Sequence, residues 1–148
     1  MTLQDQISQD IKKAMLAKDT VRLSTLRLLK SALGYLQIEK KVDSLPDSEV
    51  ITVIQREIKK RRDSIDQFLA GGRPEQAAAE TAEAAILETY LPKALSPEEL
   101  ETLVRSCIAE LGATSKKEMG PVIKAVQAKA AGKADGKSIS SLVSKLLP

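Results

Sequence analysis

Apolar residues recur every three or four positions along most of the chain, the spacing of helices that pack one face on a core. β-Branched residues are scattered and do not form strand-like runs. Capping residues, Gly and Pro divide this pattern into seven predicted helices and one short turn that begins at Ser115. The helices are predicted at 3–17, from 20 to a break at 43–49, and at 47–70, 74–90, 97–111, 120–131 and from 135 onward.

Local signals set the predicted helix ends. Thr2 with Asp5, Ser96 with Glu99 and Ser115 with Glu118 have the spacing of capping boxes, in which the first side chain binds the backbone N–H three residues later. Pro92 ends the fourth helix near Tyr90. Gly34 lies inside the second helix, where Gly costs about 1 kcal/mol relative to Ala. Its presence there predicts a closely packed neighbour.

The stretch from Ala131 to Ser138 matches a loose phosphate-loop pattern that ends in Gly-Lys-Ser. A phosphate loop requires a β-strand before its glycines, so that its N–H groups and the following helix face the phosphate. Here the preceding segment is predicted to be helical. Gly132 is interpreted as the left-handed residue that ends this helix, and Asp135 as the N-cap of the next. The stretch is therefore predicted to be a corner between two helices, with no bound nucleotide.

The composition favours an all-α fold and provides few groups for catalysis. Aromatic residues make up 2% of the chain, and it has no Trp and no His. The single cysteine, Cys107, lies in an apolar helical stripe and is expected to pack in a core. Without His there is no base that titrates near neutral pH, and no Cys–His cluster is available for zinc. No catalytic set, metal site or cofactor is predicted.

The first residues contain an acidic side chain, Asp5, and no apolar run of the kind found in secretory signal peptides. No run approaches the roughly 18 apolar residues that a membrane span requires. The sequence therefore predicts a cytoplasmic protein with no membrane association.

Basic residues are concentrated near the end of the chain. Residues 112–148 contain seven lysines and two acidic residues, a net charge of +5. Such a surface attracts a phosphate backbone. The four lysines predicted to contact RNA lie near the turn between the last two helices: Lys124, Lys129, Lys133 and Lys137. Alternatively, the lysines only keep a helical module solvated.

A second basic cluster, at 59–62, cannot form a single stripe because four consecutive residues wrap around a helix. Arg61 lies close to the apolar seam. It is expected either to extend its guanidinium to solvent or to pair with an acid such as one of the fourth helix, Glu80, Glu83 or Glu88. The other three basic residues are expected on a solvated face.

Four stretches resemble the YqeY-like family: STLRLLKSAL at 24–33, REIKKRRDSIDQF at 56–68, ETYLPKALSPEEL at 88–100 and MGPVIKAVQAKAAGKADGKSISSLV at 119–143. The resemblance implies an N-terminal helical bundle, at 1–92, and a small C-terminal three-helix tail, at 93–148. A related unit closes the B subunit of the glutamine-dependent aspartyl/glutamyl-tRNA amidotransferase, where it helps to hold the tRNA.

The family is often labelled as carbon–nitrogen ligases that use glutamine as the amide donor, but that chemistry belongs to the whole amidotransferase. The resemblance therefore implies a non-catalytic accessory module that binds tRNA or other structured RNA. One alternative is a module that docks on an amidotransferase, a synthetase or another protein without contacting RNA. Another is an amide ligase, the activity in the family label.

Overall fold

The computed structural model describes residues 1–148 and contains only helices, so the all-α prediction is confirmed. The helices are α1 (Leu3–Leu16), α2 (Thr20–Lys40), α3 (Asp47–Ala70), α4 (Pro74–Glu88), α5 (Pro97–Leu111), a 3-10 turn (Lys116–Glu118), α6 (Met119–Ala130) and α7 (Gly136–Leu146). The chain divides into two compact units, Met1–Leu91 and Pro92–Pro148.

The N-terminal unit is a bundle of α1 to α4 around an aliphatic core. The capping box predicted at Thr2 and Asp5 is present and begins α1. The apolar positions of α1, α2 and α3 meet in one cluster with a contribution from α4. Its largest fully buried members are Ile7, Leu26, Leu29, Ile54 and Leu87. Met15 has the four-residue spacing of Ile7 and Ile11, but it is half exposed near the end of α1. Most of the apolar positions that the spacing predicts for these helices are therefore buried in the bundle.

Arg61 is the buried charge of this bundle, with 7% of its surface exposed. Its Nη1 lies 3.2 Å from a carboxylate oxygen of Glu57, one helical turn earlier, and its Nε lies 3.5 Å from Glu83 of α4. The predicted pairing with an acid of α4 is thus confirmed, and Glu57 is an additional partner. Burial raises the pKa of Glu80, and the nearby Glu83 charge raises it further. The Arg61–Glu83 pair joins α3 to α4. Removing the Glu83 carboxylate would destabilise this contact, because part of the buried Arg61 charge would then be uncompensated.

Tyr90 fastens the end of the fourth helix to α1. Its hydroxyl donates to Asp10 Oδ2 at 2.5 Å, across 80 residues of sequence. Burial raises the pKa of Tyr90, and the hydrogen bond to Asp10 raises it further. The helix itself ends at Glu88, two residues before the predicted end, so Tyr90 is presented from a turn.

The C-terminal unit packs α5, α6 and α7 around a second aliphatic core. Its fully buried members include Val104, Cys107, Val122, Val126 and Val143. Cys107 is therefore a core residue as predicted, and burial raises the pKa of its thiol. The predicted capping box of Ser96 and Glu99 is present at the start of α5.

Two local predictions are wrong. The side chain of Ser115 forms no capping hydrogen bond. Instead, the carboxylate of Glu118 accepts from the N–H of Thr114 at 2.8 Å. Gly34 has no close neighbour, because a Cβ placed on it would meet no atom within 4 Å. The glycine therefore costs helix stability with no packing contact to offset it.

We expect Gly34→Ala to stabilise the protein by about 1 kcal/mol, because Ala loses less backbone entropy in a helix. Urea unfolding followed by circular dichroism measures the change. Gly112→Ala is the matched control and should destabilise, since Gly112 has φ +62° and ends α5 in the left-handed region. A destabilising Gly34→Ala would contradict the open surroundings of this residue.

The two units are expected to act as separate domains, with the boundary in the non-helical segment at 91–96. Limited trypsin digestion should cut first after Lys93, which is exposed there. Exposed backbone outside helices fits a protease more readily than helical backbone does. Lys93→Gln should remove the first cut. Earlier cleavage inside α2 or α3 would contradict the assignment.

Candidate nucleic-acid interface

The turn between α6 and α7 has a fixed backbone. Ala131 and Gly132 have φ values of 48° and 86°, so the left-handed region begins one residue before the predicted Gly132. The N–H of Lys133 donates to the carbonyl of Ala130 at 2.9 Å, and its carbonyl accepts from the N–H of Leu95 at 2.8 Å. Both backbone groups of Lys133 are therefore bonded, and its exposed side chain projects from a defined position.

The start of α7 has the predicted N-cap. Asp135 Oδ1 accepts from the N–H of Ser138 at 2.7 Å. Gly136, Lys137 and Ser138 form the first turn of α7, and the helix before them is α6. The interpretation of the Gly-Lys-Ser stretch as a corner between helices is confirmed, since no strand precedes it.

Lys129 and Lys133 lie on the same shallow groove, of about 560 Å³, between the start of α5 and the end of α6. Lys129 Nζ forms a hydrogen-bonded ion pair with Glu110 of α5. This bond raises the pKa of Lys129. No sequence signal predicts this pair, because the two residues are 19 positions apart and on different helices. Part of the charge of Lys129 is thus compensated within the chain.

The other two predicted lysines lie elsewhere in the same unit. Lys124 is exposed on α6, and five residues of helix separate it from Lys129, a rotation of about 140°. Lys137 is exposed in the first turn of α7. The structure brings Lys129 and Lys133 together, and it does not place Lys124 on the face of α6 that Lys129 occupies.

The groove also contains acidic groups. Glu98 and Glu99, from the first turn of α5, line it beside the two lysines. Hydrogen bonds from Ser96 lower the pKa of Glu99, and the charges of Lys93 and Lys133 lower it further. A polyanion would therefore meet a mixed surface inside the groove. The lysines outside it, Lys124 and Lys137, have no ion pair within the chain.

The C-terminal unit has charged side chains but few groups that could stack on a base or bind a metal ion. Residues 92–148 contain no aromatic side chain on which a base could stack. No group of three or more acidic, cysteine or histidine side chains lies close enough together to hold a metal ion.

None of the helices combines the length and the apolar character that crossing a membrane requires.

The family model described as Yqey-like protein matches residues 4–147. The chain belongs to the YqeY-like family. The resemblance found in its sequence is therefore confirmed over nearly its whole length.

Curated relatives of this YqeY-like chain are yeast proteins named "Altered inheritance of mitochondria protein 41, mitochondrial". The Kluyveromyces lactis protein is 35% identical over 136 residues, which are 90% of this chain and 69% of the relative. The Vanderwaltozyma polyspora protein is 30% identical over 71% of this chain and 58% of the relative. The Eremothecium gossypii protein is 33% identical over 73% of this chain and 60% of the relative. The chain thus spans 58 to 69% of the length of these three relatives.

The names of these relatives describe them as mitochondrial proteins. They contradict the expected cytoplasmic location, and that prediction is wrong. It had been based on the absence of an apolar leader. Mitochondrial import segments are amphipathic and rich in Arg, so the lack of an apolar run does not decide the compartment.

We expect no saturable binding of Mg-ATP or Mg-GTP to this YqeY-like chain, because its Gly-Lys-Ser stretch follows a helix and lacks the strand of a phosphate loop. Isothermal titration at millimolar nucleotide measures this. Lys137→Ala is the matched control, and its titration should be indistinguishable from that of the wild type. Micromolar binding that Lys137→Ala abolishes would contradict the prediction.

Proposed function

We propose that the chain is a non-catalytic module that binds structured RNA such as tRNA through lysines of its C-terminal unit. The observation that carries the proposal is the net charge of residues 112–148, which contain seven lysines and only two acidic residues. Of these lysines, Lys129 is the one that forms an ion pair within the chain. The remaining six lysines are available to neutralise phosphates.

The geometry of the turn supports contact with a phosphate backbone. Lys133 and Lys137 flank the left-handed corner, and Lys133 projects from a backbone that is hydrogen-bonded at both groups. Such contacts position a nucleic acid without reading its bases.

The lack of aromatic residues in this unit favours RNA that is already folded. Single strands are usually bound by stacking bases on aromatic rings, which residues 92–148 do not provide. Lysines on rigid helices are suited instead to phosphates held at fixed spacing. The proposed ligand is therefore recognised by the shape and charge of its backbone.

The four proposed contacts are not equivalent. Lys124, Lys133 and Lys137 are exposed and form no ion pair. Lys129 must leave Glu110 before it can bind a phosphate, so we expect it to contribute least. We infer no catalytic role for any of them.

The test is tRNA binding by fluorescence anisotropy, with the wild type and Lys124→Ala/Lys133→Ala/Lys137→Ala compared at two salt concentrations. The wild-type slope of log K against log salt should be about −2 to −3, the value for roughly three neutralised phosphates. The triple variant should bind at least about tenfold more weakly and with a shallower slope. Glu110→Gln should strengthen binding slightly, because it releases Lys129.

The matched control is Lys12→Ala/Lys13→Ala/Lys59→Ala, which removes the same charge from exposed positions of the N-terminal unit. It should retain most of the wild-type affinity. If both triple variants bind tRNA equally, the C-terminal unit is not the RNA surface, and the alternative of a protein-docking module is preferred.

A further inference from the structure

The outer face of α2 carries a row of exposed apolar side chains. Val21, Leu28, Tyr35 and Val42 follow one another at intervals of seven residues, and Ile38 lies three residues after Tyr35. Their exposed fractions are 50, 54, 75, 42 and 76% in the order named. Seven residues fall only about 20° short of two helical turns, so the stripe residues up to Ile38 stay on one side of α2. Val42 continues the interval two residues after the helix ends at Lys40. We name these five residues the α2 stripe.

The stripe is separate from the face that α2 gives to its own core. Leu26, Leu29 and Leu33 are buried in the bundle, where α2 packs against α1, α3 and α4. These helices leave the stripe exposed. Single exposed apolar residues are normal on a protein surface, whereas several large ones aligned along one helix face are typical of an interaction site.

The spacing of the stripe suits another helix. In heptad terms Val21, Leu28 and Tyr35 occupy a positions, and Ser24, Ser31 and Ile38 occupy d positions. The small serines leave a groove of about 430 Å³ beside Leu28, lined by Thr20, Leu23, Ser24, Arg27, Leu28 and Ser31. Large side chains alternating with gaps are the requirement for knobs-into-holes packing. Binding to a flat lipid surface does not require apolar side chains at seven-residue intervals.

Charge distinguishes among helical partners. From Arg22 to Lys41 the segment contains five basic residues and one acidic residue, Glu39. Arg22 and Lys40 are paired with Asp19 and Glu49, which lie outside α2. Arg27 lines the groove and forms no ion pair within the chain. A second copy of the chain would bring two basic edges together, whereas a helix with acidic flanks would complement Arg27.

We propose that the α2 stripe docks an amphipathic helix of another protein, with apolar residues at its a and d positions and acidic residues beside them. The apolar residues would fill the gaps next to Leu28 and Tyr35. The acidic residues would pair with Arg27 and Lys41. This surface belongs to the N-terminal unit, and the proposal is independent of RNA binding by the lysines of the C-terminal unit.

The probe is a fluorescein-labelled synthetic helix with Leu at a and d and Glu at e and g, titrated with the full chain and followed by anisotropy. We expect saturable binding that Leu28→Ser/Ile38→Ser weakens at least about tenfold. Arg27→Ala should weaken it less and reduce its salt dependence. Leu69→Ser is the control, because Leu69 is 57% exposed on α3 and lies off the stripe. It should leave binding unchanged.

All four side chains are exposed, so circular dichroism and urea unfolding should show that the variants fold as the wild type does. Absence of saturable binding, or equal binding of a peptide with Lys at e and g, would overturn the proposal. A dimer in sedimentation equilibrium that Leu28→Ser/Ile38→Ser dissociates would assign the stripe to a second copy instead. Cosedimentation with phosphatidylserine vesicles that the same variant abolishes would assign it to a lipid surface.

Discussion

Packing of aliphatic stripes between helices is the interaction on which both units depend, because the chain has one Phe and two Tyr to fill space. Each core is built from Leu, Ile and Val at three- and four-residue spacing. Short units bury a smaller fraction of their surface than large domains do, so every position of a stripe matters.

The corner at 131–135 follows from this packing. Val126 and Ala130 on α6 and Ile139 and Val143 on α7 belong to one cluster, so the two helices must meet closely. A left-handed pair, Ala131 and Gly132, reverses the chain within a few residues. The carbonyl of Lys133 is then in reach of the N–H of Leu95, which ties the corner to the segment before α5. The lysine positions around the turn are therefore a consequence of core geometry.

Most of the fold could be predicted from the sequence because its signals are local. The caps at Thr2, Ser96 and Asp135 each join residues three positions apart, and a single sequence displays such spacing directly. The pairing of Lys129 with Glu110 could not be predicted, since it depends on how α5 and α6 pack. The wrong prediction at Ser115 has a different cause. Glu118 accepts from Thr114, four residues earlier, and the local sequence fits either that bond or a capping box. The four lysines could be named from charge alone, but not their division between the groove and the open surface.

Helix α2 shows why periodicity alone did not reveal the exposed stripe. Its sequence is apolar on two faces, and the three- and four-residue spacing of Leu26, Leu29 and Leu33 accounts for the core face. Val21, Leu28 and Tyr35 have an equally regular spacing, and only the packing of α1, α3 and α4 decides which face is covered. An apolar face that the fold does not need has a cost, because it favours non-specific association. The serines at 24 and 31 and the basic residues along the helix limit that cost, since they break the apolar surface into separate side chains and make like-charged copies repel each other.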